Sequence, residues 1–486
     1  MLSERLVSDN HFALFSTRVS YRIVREEQNR YHSAKVGSKG VAMTFIRWQA
    51  GAFLVTFSAL SVAAPLHMHQ TAFKPAANGY PVGWSVWSAR TEIAPKTFID
   101  ATHYRTQPGS LAISGNSNPA EYGGWEYLAS GIAASQWYRF VAYYRSAGLQ
   151  DEALQVVARL DWRTTDGKIA GRPDYPYAVT VEGEWRRLTL DVPSPEKAAA
   201  VKIELYLANA PQATLWWDDL SLEEIPNPGP RPVTVATVKF HPHDTHSAEE
   251  NVRQFLDLID RKVPEKTDII LLPEGITVAG TGKGDAEVSE PVPGPTTDRL
   301  GEVARRRHSY IVAGIYEREA PAVYNTAVII DREGRLIGKY RKVYLPREEV
   351  EAGLTPGNDF PVFRTDFGKV GIMICWDVEY ADPARALALK GAEMILLPIW
   401  DGDATLTKAR AIENHVFLVS STYGDSSLIL DPNGEAQAAA SQNGTVAVAR
   451  IDLNRRYDDA WLGNMRERFA KELRLDVPMK RPGFEQ

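Results

Sequence analysis

The chain is predicted to be multidomain, an all-β sandwich followed by an α/β domain, and three observations predict it. Its 486 residues exceed one ordinary domain. From about Lys74 to Glu224, short stretches such as YRFVAYYRS, ALQVVARLDW, WRRLTLDV, AVKIELYLA and ATLWWDDLSLEE alternate apolar and polar residues with a period of two, broken by Gly, Pro, Asn and Ser; this is the pattern of half-buried strands. From about Val233 to Asn454, continuous apolar runs alternate with helical segments, which implies a sheet covered on both faces.

Composition narrows the function classes. Apolar residues make up 44% and charged residues 24%, values of an ordinary globular chain rather than a disordered one or a coiled coil. A net charge of -6 argues against binding nucleic acid through its phosphates. A single cysteine excludes an intrachain disulfide and any multi-cysteine metal site. No HExxH or paired Cys/His spacing occurs, so no metal and no other cofactor is implied.

Near the N-terminus, Ala50 to Ala64 reads AGAFLVTFSALSVAA, too short for a membrane span, which needs about 20 residues. Arg47 precedes it, and Ala63 and Ala64 close it before Pro65. A basic flank, an apolar core and a small-residue end form a secretory signal, assigned to residues 43–64, and the expected location is secreted or periplasmic. Residues 1–42 are polar and read as an extension ahead of Met43, the expected true start. The competing reading is a buried core helix within a longer N-terminal arm.

The first block is assigned to residues 74–225, the stiff PNPGPRP linker to 226–232, the second block to 233–456 and a tail to 457–486. In the second block VTVATVKF is a strand, and SAEENVRQFLDLIDRK is a helix opened by a capping box of Ser247 and Glu250. There follow strand TDIILLPEG, helix TTDRLGEVARRR, strand YIVAGIYE, hairpin NTAVIIDREGRLIGKY, strand KVGIMIC and helix DPARALALKGA. Strand EMILLPIW, helix TLTKARAIENH, strand VFLVSSTY and hairpin SSLILDPNGEAQAAA complete the block. The tail holds a possible amphipathic helix, AWLGNMRERFAKELRL.

Three chemically capable residues lie at strand ends. Glu274 ends DIILLPEG, Lys342 lies in YRKVYLP after a hairpin, and Cys375 ends VGIMIC where WDVEYADPARAL begins a helix. Sites gather at strand C-terminal ends in α/β folds, and helix N-terminal amides favour a thiolate. Singly, such residues are more often a core thiol, a loop carboxylate and a solvated ammonium. Together they are the components of amide cleavage through an acyl-enzyme.

These motifs resemble the nitrilase, or carbon-nitrogen hydrolase, superfamily. LLPEG matches its glutamate motif, YRKVYLP its lysine motif and GIMICWD its nucleophile motif, in the family's order, over roughly Pro232 to Asn454. TPGNDFPVF, GAEMILLP and ARAIENHVFLVSST agree with it. The resemblance implies an αββα sandwich, commonly dimerised into an αββααββα body, hence a homodimer or higher homo-oligomer. It implies that Glu274 is the general base, Cys375 the nucleophile and Lys342 the oxyanion stabiliser, with the backbone N–H of Trp376 as second donor. A second glutamate after the lysine motif is implied. Glu348, Glu349 and Glu351 are available, and Glu349 is favoured without the spacing deciding it. Tyr344 stands where many relatives have His, and Ala381 and Asp382 depart from the pattern while Arg385 fits. Asp377 after Trp376, where typical nitrilases have Glu, tilts the expectation towards an amidase.

Tyr344, Trp400 and Asp401 are candidate substrate contacts, although Trp400 could equally pack at an interface. Arg410, Glu413 and Asn414 share a helical face, where a structural ion pair is the expected role. The β block resembles jelly-roll modules called carbohydrate-binding or galactose-binding-like, through VGWSVWSA, GGWEYLA and TLWWDDLSLEE. Trp84, Trp87, Trp125, Trp137, Trp162, Trp185, Trp216 and Trp217 could stack on a glycan, but an aromatic side chain buries 150–250 Å² and most should fill the core. The expected activity is hydrolysis of a small-molecule amide-type or N-carbamoyl substrate, less readily a nitrile. The alternatives are N-acyl transfer by the same triad, and glycan binding on an inactive hydrolase scaffold.

Overall fold

A computed structural model describes residues 67–477. The extension at 1–42 and the signal at 43–64 lie outside the described residues.

Two antiparallel sheets form the first block. One runs Trp84–Ser88, Tyr122–Ser130, Ala200–Ala208, Val156–Arg163. The other runs Lys96–Asp100, Ser110–Ser114, Thr214–Ile225, Trp137–Ala147, Trp185–Pro193, Ala178–Glu182, with His67–Gln70 also paired to Thr214–Ile225. Alternate residues of both sheets fill one core that includes Ile113, Trp125, Phe140, Trp162, Leu205 and Trp217. Along Thr214–Ile225 the inward set is Leu215 and Trp217, then Leu220 and Leu222. The parity flips because a bulge between Asp218 and Ser221 inserts a residue out of step. Asp218 there is fully buried and accepts the backbone N–H groups of Arg105 (2.7 Å), Thr106 (3.0 Å) and Asp219 (2.8 Å). The WWDD stretch is therefore a core tryptophan, an outward one and a carboxylate that pins a neighbouring loop.

Burial claims most of the tryptophans, as their size demands. Trp125, Trp162 and Trp217 are fully buried, and Trp84, Trp185 and Trp216 nearly so. Trp185 and Trp216 form a small cluster with Ala112, backed by Phe98 and Tyr143. Trp87 is the exposed one of the eight, at 40%, with its ring stacked on Tyr206.

The second block is an αββα sandwich. Its first sheet runs Leu336–Arg341, Ala322–Ile330, Tyr310–Glu319, Ile269–Leu271, Pro232–Lys239, Thr445–Asp452. The second runs Val362–Arg364, Lys369–Ile372, Met394–Pro398, Phe417–Ser421, Ser427–Leu430, Ala436–Ala440. The central pairs are parallel: Val235 opposite Ile269, Ile269 opposite Tyr310, Val370 opposite Met394, Met394 opposite Phe417. Period two explains why these strands read as unbroken apolar runs. Val235, Ile269 and Leu271 face the other sheet, in a core with Ile372, Leu397 and Leu418. Their neighbours Ala236, Ile270 and Leu272 face Phe255, Ile259, Leu300 and Val303 of two outer helices.

Those helices are Ala248–Lys262 and Pro295–Arg307. Ser247 caps the first by accepting the Glu250 N–H at 3.2 Å, while the Glu250 carboxylate accepts the His246 N–H at 2.7 Å rather than returning to Ser247. Ala381–Leu389 and Ala404–Asn414 cover the second sheet. No helix of the described residues is long and apolar enough to cross a membrane.

Residues 226–231 form neither helix nor strand, and beyond them the blocks meet again. Arg456 donates to Asp174 of the β block at 2.6 Å and lies 3.5 Å from Glu467. Glu467 accepts the Tyr175 N–H at 2.6 Å, and Lys471 donates to the Val156 carbonyl at 2.7 Å. The tail helix is confined to Met465–Glu472, because Asn464 caps it and Gly463 before it has φ 83°.

Candidate active site

Both sheets of the sandwich contribute to one cluster. Strand Ile269–Leu271 delivers Glu274 two residues after Leu272, in a turn that Gly275 completes with φ 58°. Strand Leu336–Arg341 delivers Lys342, and the second sheet delivers Cys375 just past Lys369–Ile372. Gly314 lets the neighbouring strand abut the glutamate: a Cβ there would lie 2.5 Å from the Glu274 Cα. Cys375 itself has φ 41°, a left-handed conformation that a non-glycine residue rarely adopts.

Lys342 is fully enclosed and donates to Glu274 Oε1 at 3.1 Å and to Glu349 Oε1 at 2.6 Å. Burial opposes its charge, but Glu274, Cys375 and Glu349 around it carry the ammonium's pKa above the ordinary lysine value. Of the three glutamates weighed for this place, Glu349 makes the contact, and Glu348 and Glu351 face solvent. Burial raises the Glu349 carboxyl above its usual range, while Lys342 acts the other way. Glu274 also accepts the Asn325 side-chain N–H at 2.7 Å, and its backbone carbonyl accepts the Tyr423 hydroxyl at 2.8 Å. Its buried Oε2 has no hydrogen-bond partner among the described residues.

The Cys375 thiol is flanked by the Glu274 carboxylate, the Lys342 ammonium and the Trp400 backbone N–H. Burial and then Glu274 push the thiol well above its ordinary range, against the pull of Lys342. Here the expectation of a thiolate held by a helix N-terminus is corrected. The segment after the sulfur is a 3-10 turn, Cys375–Glu379, and burial beside a carboxylate opposes ionisation of the thiol.

Trp376 and Trp400 are each 39% exposed. The Trp400 ring packs edge-on to Tyr423 and would lie 3.4 Å from a Cβ at Gly275, next to the glutamate. Tyr344 stacks on Tyr380 with ring centroids 4.2 Å apart. The Asp401 carboxylate packs against the Gly424 backbone. Arg410, nearly buried, donates through Nε to the Val378 carbonyl at 2.9 Å and pairs with Glu413 at 2.9 Å, so this helix braces the turn after Cys375.

Asn325, Tyr423 and Asp377 are the residues that sequence reasoning did not assign to the site. Asn325 had a visible signal, a polar residue in the apolar run NTAVII, where an unpaired amide would be costly. Among the described residues no group of three or more His, Cys, Asp or Glu could hold a metal ion.

A carboxylate, an ammonium and a thiol brought together between the two sheets of an αββα sandwich point to the carbon-nitrogen hydrolase class. The profile of the family described as carbon-nitrogen hydrolase matches residues 234–460. A Pyrococcus abyssi protein named nitrilase is 34% identical over 249 residues, covering 47% of this chain and 94% of that one. Omega-amidase NIT2 of Xenopus tropicalis is 29% identical over 259 residues, 48% of this chain and 88% of the relative. Among solved structures, Saccharomyces cerevisiae Nit3, a member of branch 10 of the nitrilase superfamily, is 25% identical, with 52% of this chain and 96% of that chain covered and a TM-score of 0.41. The chain belongs to the carbon-nitrogen hydrolase family.

Proposed function

We propose that the chain is an exported thiol hydrolase of non-peptide carbon-nitrogen bonds, acting on small amides. The observation that carries this reading is the convergence of Glu274, Lys342 and Cys375, with Glu349 on the far side of the lysine.

The protonated thiol and the free Glu274 oxygen set the order of events. Glu274 takes the proton as sulfur attacks the carbonyl carbon, so charge separates only when bond formation repays it. The oxyanion forms beside the Lys342 ammonium and the Trp376 backbone N–H. Glu274 returns the proton to the departing ammonia or amine, leaving a thioester. Water, deprotonated by the same carboxylate, then releases the acid and restores the thiol. Glu349 and Asn325 hold the lysine and the base in register. The aromatic rings of Tyr344, Trp376 and Trp400, with Asp401 behind, wall the substrate.

Ammonia release from small amides, N-carbamoyl compounds and nitriles tests the reading. Amides should turn over fastest, and Cys375→Ala should abolish turnover. No turnover of any of them, with Cys375 inert to iodoacetamide, would refute it. Added amine acceptors separate hydrolysis from acyl transfer: a transferase converts them to N-acyl products in place of free acid.

Export is supported by Arg47 and the apolar run Ala50 to Ala64, and the mature protein should begin near Pro65 when its N-terminus is sequenced. The β-sandwich is read as a jelly-roll, carbohydrate-binding-like module, with Trp87 as its exposed ring. Glycan-array binding lost in Trp87→Ala supports a saccharide partner, and no binding by the unmutated protein removes it. A homodimer is the assembly expected of the family, read by sedimentation.

A further inference from the structure

We infer that Asp377 is a positioning residue whose carboxylate ties the lysine loop to the nucleophile turn and so fixes where Lys342 stands relative to Cys375. The inference rests on the amide-hydrolase reading of the site for its kinetic consequence, though not for its geometry.

Asp377 is fully buried two residues beyond the nucleophile. Its Oδ2 accepts the Tyr340 hydroxyl at 2.7 Å and the Ile374 N–H at 2.8 Å, and its Oδ1 accepts the Tyr344 N–H at 3.0 Å. The Tyr340 oxygen in turn accepts the Val343 N–H at 3.2 Å. These partners bracket both reacting groups. Tyr340 and Tyr344 lie two residues to either side of Lys342, and Ile374 is the residue before Cys375. Lys342 and Cys375 come from different sheets, so nothing in either sheet's own ladder sets their separation. The Asp377 carboxylate crosses that gap.

The chemistry of the three partners requires an ionised aspartate. All are donors, and only an acceptor-only group satisfies all of them. An amide at the same place would point its N–H groups at a donor, and a glutamate would force an extra methylene into a filled space. Burial pushes the Asp377 carboxyl up to about 6, against the Ile374, Tyr340 and Tyr344 hydrogen bonds and the nearby Lys342 charge. Lys342, the Tyr340 hydroxyl and the Tyr344 phenol are the titratable groups that face it. As pH falls through about 6 the protonated form gains a donor and must give up a bond, so alignment weakens on the acid side.

Asp377→Asn tests the inference with two readouts. The first is turnover of the best amide: kcat should fall on the order of 10²-fold with KM little changed, as expected for reacting groups displaced by about 1 Å. The second needs no substrate. Displacing Lys342 removes its pull on the thiol, so iodoacetamide alkylation of Cys375 at pH 8 should slow about tenfold, equivalent to one pKa unit. Tyr340→Phe, which removes a single donor and keeps the carboxylate, should give a smaller change in both and serves if the first variant does not fold. Unchanged alkylation and unchanged kcat in folded variants would overturn the inference. An unmutated protein that turns over no amide refutes the functional reading instead, and alkylation still decides the positioning role.

Discussion

Lys342 answers two carboxylates with one ammonium, and that shortage of positive charge shapes the site. Glu274→Gln keeps the shape of the base but removes its capacity to take the thiol proton, so kcat should fall about 10²–10⁴-fold in a folded protein, measured by ammonia release. Lys342→Met removes the oxyanion's cation and should cost on the order of 10²–10³ in kcat. It also removes the cation that opposes burial at Glu349, so that carboxyl should take up a proton at higher pH, which infrared titration of the carboxyl bands would read. At this scale the sequence was informative where chemistry and strand ends coincide, as for Glu274, Lys342 and Cys375. It could not choose among Glu348, Glu349 and Glu351, because that choice depends on how the short helix Arg347–Glu351 is rotated. It missed Asn325 and Asp377, whose meaning lies in partners far along the chain.

At the level of elements, the glutamate turn depends on how closely a neighbouring strand can approach. A Cβ at Gly314 would lie 2.5 Å from the Glu274 Cα and 2.9 Å from the Gly275 nitrogen, both backbone atoms that cannot rotate aside. Gly314→Ala should therefore destabilise by about 1–3 kcal/mol in urea unfolding and reduce activity out of proportion, since the shift falls on the base itself. The strands and helices of the second block were readable because each apolar run carries its own period. The bulge at Asp218–Ser221 was not, because a parity change looks like noise until the partner strand is known. The tail helix was overestimated for a similar reason: its apolar spacing continues on both sides of Met465–Glu472, but the chain leaves helical geometry at Gly463.

Across the whole molecule, the two blocks are joined by a small buried ion cluster between residues 282 apart in sequence, Asp174 and Arg456. No periodicity could have announced it. Arg456→Ala strands Asp174 and Glu467 without their guanidinium and should cost about 3–5 kcal/mol at pH 8 in urea unfolding. The pH dependence has a definite sign. Burial raises both carboxyls, Glu467 from 4.5 to about 8. An acid that holds its proton more tightly when folded costs stability as pH rises from the unfolded to the folded value. The junction should therefore weaken between about pH 5 and pH 8, and Glu467→Gln should flatten that slope in thermal melts across the range.

Glu274 and Lys342 hang from one sheet and Cys375 from the other, so in the proposed mechanism turnover would act as a split reporter of the seam between them. Heating, pressure or cosolvent that lets the two layers slip by an ångström should silence turnover while far-ultraviolet circular dichroism still registers intact strands. Inactivation should then precede melting.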